Sequence, residues 1–99
     1  MAIQILIADD NDLIREHIAG ELLEAGHEVT SVADAQACRK AVWKTRPDIL
    51  ILEPWMGDGE GLPVLKEIRA SKQYRQIHVI VQIYLTTKTL IWLLFPGLF

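Results

Sequence analysis

Four consecutive large apolar residues, Ile49 to Leu52, end directly in an acid, Glu53, and a loop begins at Pro54. A short apolar run of this kind predicts a strand that is buried on both faces of a sheet. In an open parallel sheet, chemistry takes place just beyond the carboxyl ends of the strands. Glu53 is therefore the first candidate for a functional residue.

The rest of the pattern alternates strands with helices. Apolar, β-branched runs predict strands over 3–8, 27–32, 48–53 and 77–83. Three helices are predicted between them, the first capped by Asn11 or Asp12, the second by Asp34 and ended by Pro47, and the third with Pro63 in its first turn. This alternation predicts right-handed crossovers and a parallel sheet in an α/β fold with helices on both faces.

Length and composition predict one domain with its own core, since the chain has 99 residues and is 51% hydrophobic. A net charge of -3 without a basic run argues against nucleic acid as a partner of this domain by itself. The lone Cys38 excludes an intramolecular disulfide and fits a reducing compartment. We therefore expect a cytoplasmic protein, and we expect no signal peptide because a strand-like run starts at the first residues.

The segment after residue 83 does not continue the alternation. It is mostly apolar, and Lys88 is the one Asp, Glu, Lys or Arg residue beyond position 76. A membrane span needs about 20 apolar residues, and polar residues interrupt this segment, so a membrane anchor is not expected. We therefore predict a domain over 1–83 and an apolar tail over 84–99 without assigned structure. A shifted reading frame or a premature end near residue 83 is one hypothesis for this tail.

Three acids are expected together at one edge of the sheet. Asp9 and Asp10 close the first strand and Glu53 closes the third, and these strands are neighbours in the predicted sheet. Their mutual repulsion favours a hard cation with oxygen ligands, and Mg²⁺ suits carboxylates together with water and phosphate. The structural alternative is that Asp9 and Asp10 cap the first helix while Glu53 is a solvated loop residue.

Several short segments match one known family in order and spacing. They are Ile5–Asn11 with Arg15, then Ala33, Arg46–Leu52, Met56, Glu60–Gly61 and Leu65–Arg69. On these residues the chain resembles the receiver domains of two-component response regulators, the CheY-like family, over about residues 2–83. The resemblance implies a three-layer, flavodoxin-like fold with strand order 2-1-3-4. It also implies that the family's fourth helix, fifth strand and fifth helix are missing from this sequence.

The resemblance implies a function for the acidic edge. Asp9 and Asp10 would hold Mg²⁺ with Glu53 and the backbone carbonyl of Trp55, and a histidine kinase would supply the phosphoryl group. Glu53 stands where the family has its phosphoryl-accepting aspartate. The extra methylene moves the carboxylate by about 1 Å, and a displacement of that size can cost ~10²-fold in rate. We therefore expect weak Mg²⁺ binding and a degenerate phosphoacceptor that is unphosphorylatable or acts as a permanent negative charge.

Two further family positions differ in this sequence. The family has a Ser or Thr at the position of Ile83, at the end of the fourth strand, and a Lys at the end of its fifth strand. Lys88 follows the fourth strand by only five residues, whereas a parallel crossover needs a dozen or more. The role of the family's lysine is therefore not carried over to Lys88.

The expected role is signalling by contact with a histidine kinase or another signalling protein, without enzymatic turnover. Two alternatives stay open. One is an active receiver that is phosphorylated on Glu53 by a histidine kinase. The other is a nonfunctional receiver fragment that self-associates through the open edge of the fourth strand or through the apolar tail.

Overall fold

The structure, a computed structural model, describes the backbone of residues 2–84 and 90–94 and the side chains of residues 2–59 and 61–82. Its strands are β1 (Gln4–Ala8), β2 (Glu28–Val32), β3 (Ile49–Leu52), β4 (Trp55–Met56), β5 (Gly59–Glu60), β6 (His78–Tyr84) and β7 (Leu90–Leu94). Its helices are α1 (Asp12–Glu24), α2 (Ala35–Thr45) and α3 (Gly61–Ala70). The predicted alternation of strands and helices up to residue 83 is confirmed. The hairpin of β4 and β5 inside the loop after β3 was not predicted.

The main sheet has the order β2-β1-β3-β6-β7. The first four of these strands are parallel, so the predicted order 2-1-3-4 is confirmed. Ala8 lies opposite Leu52, and Leu52 lies opposite Val81. This register brings the carboxyl ends of β1, β3 and β6 to the same edge of the sheet, where the candidate acids follow.

Strand β7 corrects the expectation that the fourth strand is an open edge. It pairs antiparallel with β6, with Leu90 opposite Tyr84 and Leu94 opposite Ile80. Five residues are too few for a crossover to a parallel strand but are enough for an antiparallel return. Residues 90–94 of the predicted apolar tail therefore form a strand of the sheet. This strand runs antiparallel to β6, unlike the parallel fifth strand of the family.

The sheet separates two apolar clusters because successive side chains of a strand point to opposite faces. Ile5, Ile7 and Ile51 face α1 and pack with apolar residues of that helix. Leu6 and Leu50 belong to the larger cluster on the other face, to which α2 and α3 contribute. From α2 these include the predicted inward-facing residues Cys38, Ala41 and Val42, all of which are buried.

The helix boundaries follow local chemistry. The side chain of Asn11 accepts a hydrogen bond from the backbone N–H of Ile14, which settles the first cap on Asn11. Asp34 caps α2, as predicted, by accepting from the N–H of Ala37 at 2.7 Å. Arg46 adopts a left-handed conformation (φ 47°) where α2 ends before Pro47. Of the helices in the described part of the chain, none is long and apolar enough to cross a membrane.

Candidate functional site

The candidate site lies at the carboxyl edge of the three central parallel strands. Asp9 directly follows β1, Glu53 directly follows β3, and Gln82 lies near the end of β6. Asp9 is 1% exposed and Glu53 is 4% exposed, whereas Asp10 is exposed. Asp9 and Glu53 are thus shielded from solvent, whereas Asp10 is accessible to it.

Asp9 is fixed by hydrogen bonds to both carboxylate oxygens. Its Oδ1 accepts from the backbone N–H of Asn11 at 2.8 Å, and its Oδ2 accepts from Nε2 of Gln82 at 2.6 Å. The guanidinium of Arg15 donates to the backbone carbonyl of Asp9 at 2.9 Å. The first turn of α1 and the end of β6 therefore hold this acid from two sides.

Gln82 was not predicted as a site residue. The resemblance to receiver domains implied a role for the next position, Ile83. Gln82 is fully buried, at 0% exposure. One signal was available in the sequence, since a polar residue inside an apolar strand must find hydrogen-bond partners once it is buried.

Glu53 turns its carboxylate back onto its own loop. Its backbone N–H donates to the carbonyl of Ala8, which fixes the end of β3 beside the end of β1. Oε1 accepts from the backbone N–H of Trp55 at 3.0 Å. Oε2 is buried and has no hydrogen-bond partner among the residues that the structure describes. One carboxylate oxygen of Glu53 therefore accepts a hydrogen bond, and the other accepts none from the described residues.

The surroundings of Glu53 favour its protonated form. Burial raises the pKa of the Glu53 carboxyl, the N–H of Trp55 partly offsets that rise, and the negative charges of Asp9 and Asp10 add to it. Both aspartates thus lie near enough to Glu53 to oppose its ionisation. The alternative of a solvated Glu53 is wrong, because this side chain is almost fully buried.

The loop after β3 contains a short hairpin and is tied to the start of α3. The backbone N–H of Gly61, at the start of α3, donates to the carbonyl of Pro54. Inside this loop, Trp55 pairs with residue 60 and Met56 pairs with Gly59. Met56 is buried in the core, whereas the indole of Trp55 is 59% exposed. The loop thus places one buried side chain in the core and presents an aromatic residue to solvent.

Asp58, at the tip of this loop, contacts the start of α2. Its carboxylate accepts from the N–H groups of Ala35 at 2.8 Å and Gln36 at 3.1 Å. These hydrogen bonds lower the pKa of Asp58, that of Ala35 most. Asp58 was not predicted, since an acid between two glycines is typical of any polar turn and its partners lie more than 20 positions away.

The donor types at this edge suit Mg²⁺. The carboxylates of Asp9, Asp10 and Glu53 and the carbonyl of Trp55 are hard oxygen donors, and the buried Oε2 of Glu53 is an acceptor that a cation would satisfy. The geometry is not that of an assembled centre, however. Within the described residues, no three His, Cys, Asp or Glu side chains are gathered closely enough to hold a metal ion.

Comparison with known proteins agrees with this fold. Residues 5–89 match the response regulator receiver domain. The virulence transcriptional regulatory protein PhoP of Salmonella typhimurium is 31% identical over 68 residues, which are 69% of this chain and 30% of that protein. The chain therefore spans about 30% of the length of the curated relatives that it matches.

Solved structures show the same architecture. The chemotaxis response regulator CheY4 of Vibrio cholerae superposes with a TM-score of 0.77 at 27% identity, over 82% of this chain and 68% of that chain. The receiver domain of sensor histidine kinase PA1611 from Pseudomonas aeruginosa PAO1, which has a magnesium ion in its active site cleft, gives a TM-score of 0.79 at 24% identity, over 89% and 72%. The latter shows the fold alone. Because the receiver match extends over residues 5–89, this chain belongs to the response regulator receiver domain family.

Proposed function

We propose that this chain is a receiver module of two-component signalling in which Glu53 is a degenerate phosphoacceptor, so that the module acts through protein contacts. Membership of the receiver family supports the signalling role. The observation that carries the proposal is the inward orientation of Glu53. Its carboxylate is 4% exposed, and one oxygen is held by the N–H of Trp55 in its own loop.

This orientation is unfavourable for phosphoryl transfer. A nucleophilic carboxylate must be ionised and must approach the phosphorus in line with the leaving group. Burial raises the pKa of Glu53, which reduces its ionised fraction, and the side chain is only 4% exposed to an approaching phosphoryl donor. The extra methylene relative to aspartate adds a displacement of about 1 Å, which can lower the rate by ~10²-fold.

Mg²⁺ binding is part of this proposal and is weak. Asp9, Asp10 and Glu53 would hold the ion together with the carbonyl of Trp55, and when bound it would neutralise charge on a phosphate group. The chain's own hydrogen bonds oppose this binding. Both carboxylate oxygens of Asp9 already accept hydrogen bonds from N–H groups, and Oε1 of Glu53 accepts one as well. A cation must therefore displace or distort bonds that the metal-free protein makes.

The exposed side of the site supports a role in protein contacts. Trp55 is 59% exposed and its backbone N–H holds Glu53, so we take its ring as part of the surface beside the acidic site, which we call the rim. Exposed tryptophan is among the residues that contribute most to protein interfaces. A histidine kinase or another signalling protein is the class of partner that this rim would contact.

The proposal is tested by phosphoryl transfer from a labelled small acyl phosphate and from a histidine kinase. We expect wild type to be labelled at least about 10²-fold more slowly than Glu53→Asp, because the shorter side chain restores the family's acceptor position. Glu53→Gln is the matched control and should take up no label.

Two results would contradict the proposal. Labelling of wild type at the rate of Glu53→Asp, abolished in Glu53→Gln, would instead establish an active receiver that uses Glu53. Absence of label in Glu53→Asp, with self-association of wild type in sedimentation, would favour the nonfunctional fragment.

A further inference from the structure

We infer that Gln82 is a positioning residue of the acidic site: its amide holds Asp9 in the metal-free arrangement and competes with Mg²⁺ for the Asp9 carboxylate. This inference rests on the proposed function of the edge as a degenerate receiver site. It names the side chain that lowers the affinity of this site for a divalent cation.

The geometry of the contact supports a direct role. Nε2 of Gln82 donates to Oδ2 of Asp9 at 2.6 Å, and the two residues are 73 positions apart. Gln82 is 0% exposed and Asp9 is 1% exposed. A short hydrogen bond to a buried, charged acceptor is among the stronger kinds of hydrogen bond in proteins.

The contact also bridges strands that are not neighbours. Gln82 lies on β6 and Asp9 follows β1, and β3 runs between them in the sheet. Adjacent strands are about 4.8 Å apart, so the amide must reach across about two such spacings. A long side chain is needed for this, and the bridge passes the end of β3, where Glu53 begins. Gln82 thus links the ends of the two strands that flank β3 in the sheet.

The chemistry of the amide explains why it competes with a cation. A buried carboxylate needs hydrogen-bond donors or a positive charge, and the amides of Asn11 and Gln82 supply donors without any metal. An amide hydrogen carries partial positive charge, so it and Mg²⁺ repel each other at one carboxylate oxygen. Mg²⁺ also demands near-octahedral geometry and gives up water reluctantly. The Gln82 contact therefore lowers the affinity of Asp9 for the ion.

The test measures Mg²⁺ binding by thermal unfolding, which needs no phosphoryl donor. Gln82→Met preserves the length of the side chain and removes the donor. In EDTA we expect this variant to melt below wild type. In a MgCl₂ titration we expect its midpoint of stabilisation to fall by at least about 10-fold relative to wild type, the size seen when residues around a metal site are changed. A purely structural role would lower stability without changing that midpoint.

Two further variants make the test decisive. Gln82→Asn retains an amide but is too short for the bridge, so it should repeat the gain in Mg²⁺ affinity even if the Met variant fails to fold. Adding Asp9→Asn to either variant should abolish the gain, because the competing carboxylate is gone. Unchanged Mg²⁺ midpoints in the folded single variants would overturn the inference. That result is distinct from failure of the proposed function. The proposed function is tested by phosphoryl labelling of Glu53 in a protein that keeps Gln82.

Discussion

A Cβ atom at Gly61 would lie 2.6 Å from the backbone carbonyl oxygen of Glu53, closer than side-chain carbons approach such an atom. The same Cβ would lie 3.0 Å from Cδ1 of Leu52. The first residue of α3 therefore packs directly on the end of β3, and glycine is required because no other residue leaves this space. This close approach fixes the start of α3 beside the strand end that carries Glu53.

Replacing Gly61 by alanine should therefore destabilise the protein. Because the obstacle is backbone, it cannot move aside as a flexible side chain would, and overpacking of this kind costs about 1–3 kcal/mol. For a domain of this size, each kcal/mol corresponds to a fall of roughly 4–8 °C in Tm. Thermal unfolding followed by circular dichroism measures this effect.

Gly57→Ala is the matched control within the same loop. A Cβ there would meet only Oδ2 of Asp10 at 3.6 Å, an ordinary contact. We expect this variant to keep the wild-type Tm or to gain up to about 1 kcal/mol from reduced freedom of the unfolded chain. Equal Tm values for the two alanine variants would contradict the proposed packing of Gly61 on Glu53.

The buried carboxyl of Glu53 should give the protein a characteristic pH dependence. Its pKa in the folded protein is raised above the ordinary value of 4.5, chiefly by burial. The folded state therefore favours the protonated form, and the stability that Glu53 contributes is complete below the ordinary value and is lost as pH rises through the raised pKa.

Glu53→Gln, which stays neutral, should therefore match wild type at about pH 4 and become more stable by about pH 8. The expected difference in the free energy of unfolding at the higher pH is on the order of 1 kcal/mol, which is the typical cost of burying a polar group that lacks a hydrogen bond. Tm values measured across this range provide the check. A difference between the two proteins that does not vary with pH would show that Glu53 is not held in a desolvated position.

Asp58 should have the opposite pH dependence. Its pKa is lowered below the ordinary value of 3.8 by the N–H groups of Ala35 and Gln36, so its contribution is present above that value and is lost as pH falls through the lowered pKa. Asp58→Ala should lower Tm at neutral pH, and the difference from wild type should shrink in acid. Asp58→Asn, which retains a single acceptor oxygen, should fall between the two. An Ala variant with wild-type Tm at neutral pH would contradict the role of Asp58 at α2.

Trp55 provides an optical test of the site. Its backbone N–H holds Oε1 of Glu53, and the residue is 59% exposed. In a Mg²⁺ titration, wild type should show little change in tryptophan fluorescence, whereas Glu53→Asp should respond at a concentration about 10-fold lower or more.

Trp55→Phe in the Glu53→Asp background is the control for that measurement. It should remove the signal, which separates Trp55 from Trp43 and Trp92 elsewhere in the chain. If wild type and Glu53→Asp respond at the same Mg²⁺ concentration, the length of the acid at position 53 does not determine metal binding.

Local sequence patterns predicted the framework of this molecule well. Isoleucine- and leucine-rich runs that end in acids located both Asp9 and Glu53, because a parallel sheet brings its strand ends to one edge. Capping chemistry located the starts of α1 and α2. These features depend on residues close to one another in the chain, and such residues carry most of the information about strands and helices.

The features that the sequence did not reveal depend on distant partners. Gln82 meets Asp9 from 73 positions away, and Asp58 meets Ala35 from 23 positions away. Strand β7 could not be assigned from its apolar run, which fits a strand, a short helix or a disordered tail equally well. Its pairing with the edge of β6 is what makes it a strand. Within the described residues the candidate acids do not form a metal-binding cluster, which depends on side-chain directions that spacing alone does not give.

The contact of Asp58 with α2 has a consequence for how this molecule opens. The amide hydrogens of Ala35 and Gln36 are both donated to a carboxylate that belongs to the loop beyond Glu53. Both hydrogen bonds must break before that carboxylate can withdraw, so we expect the first turn of α2 and the loop to open together. Any partner that pulls the loop away from Glu53 therefore also frays a helix on a different part of the surface.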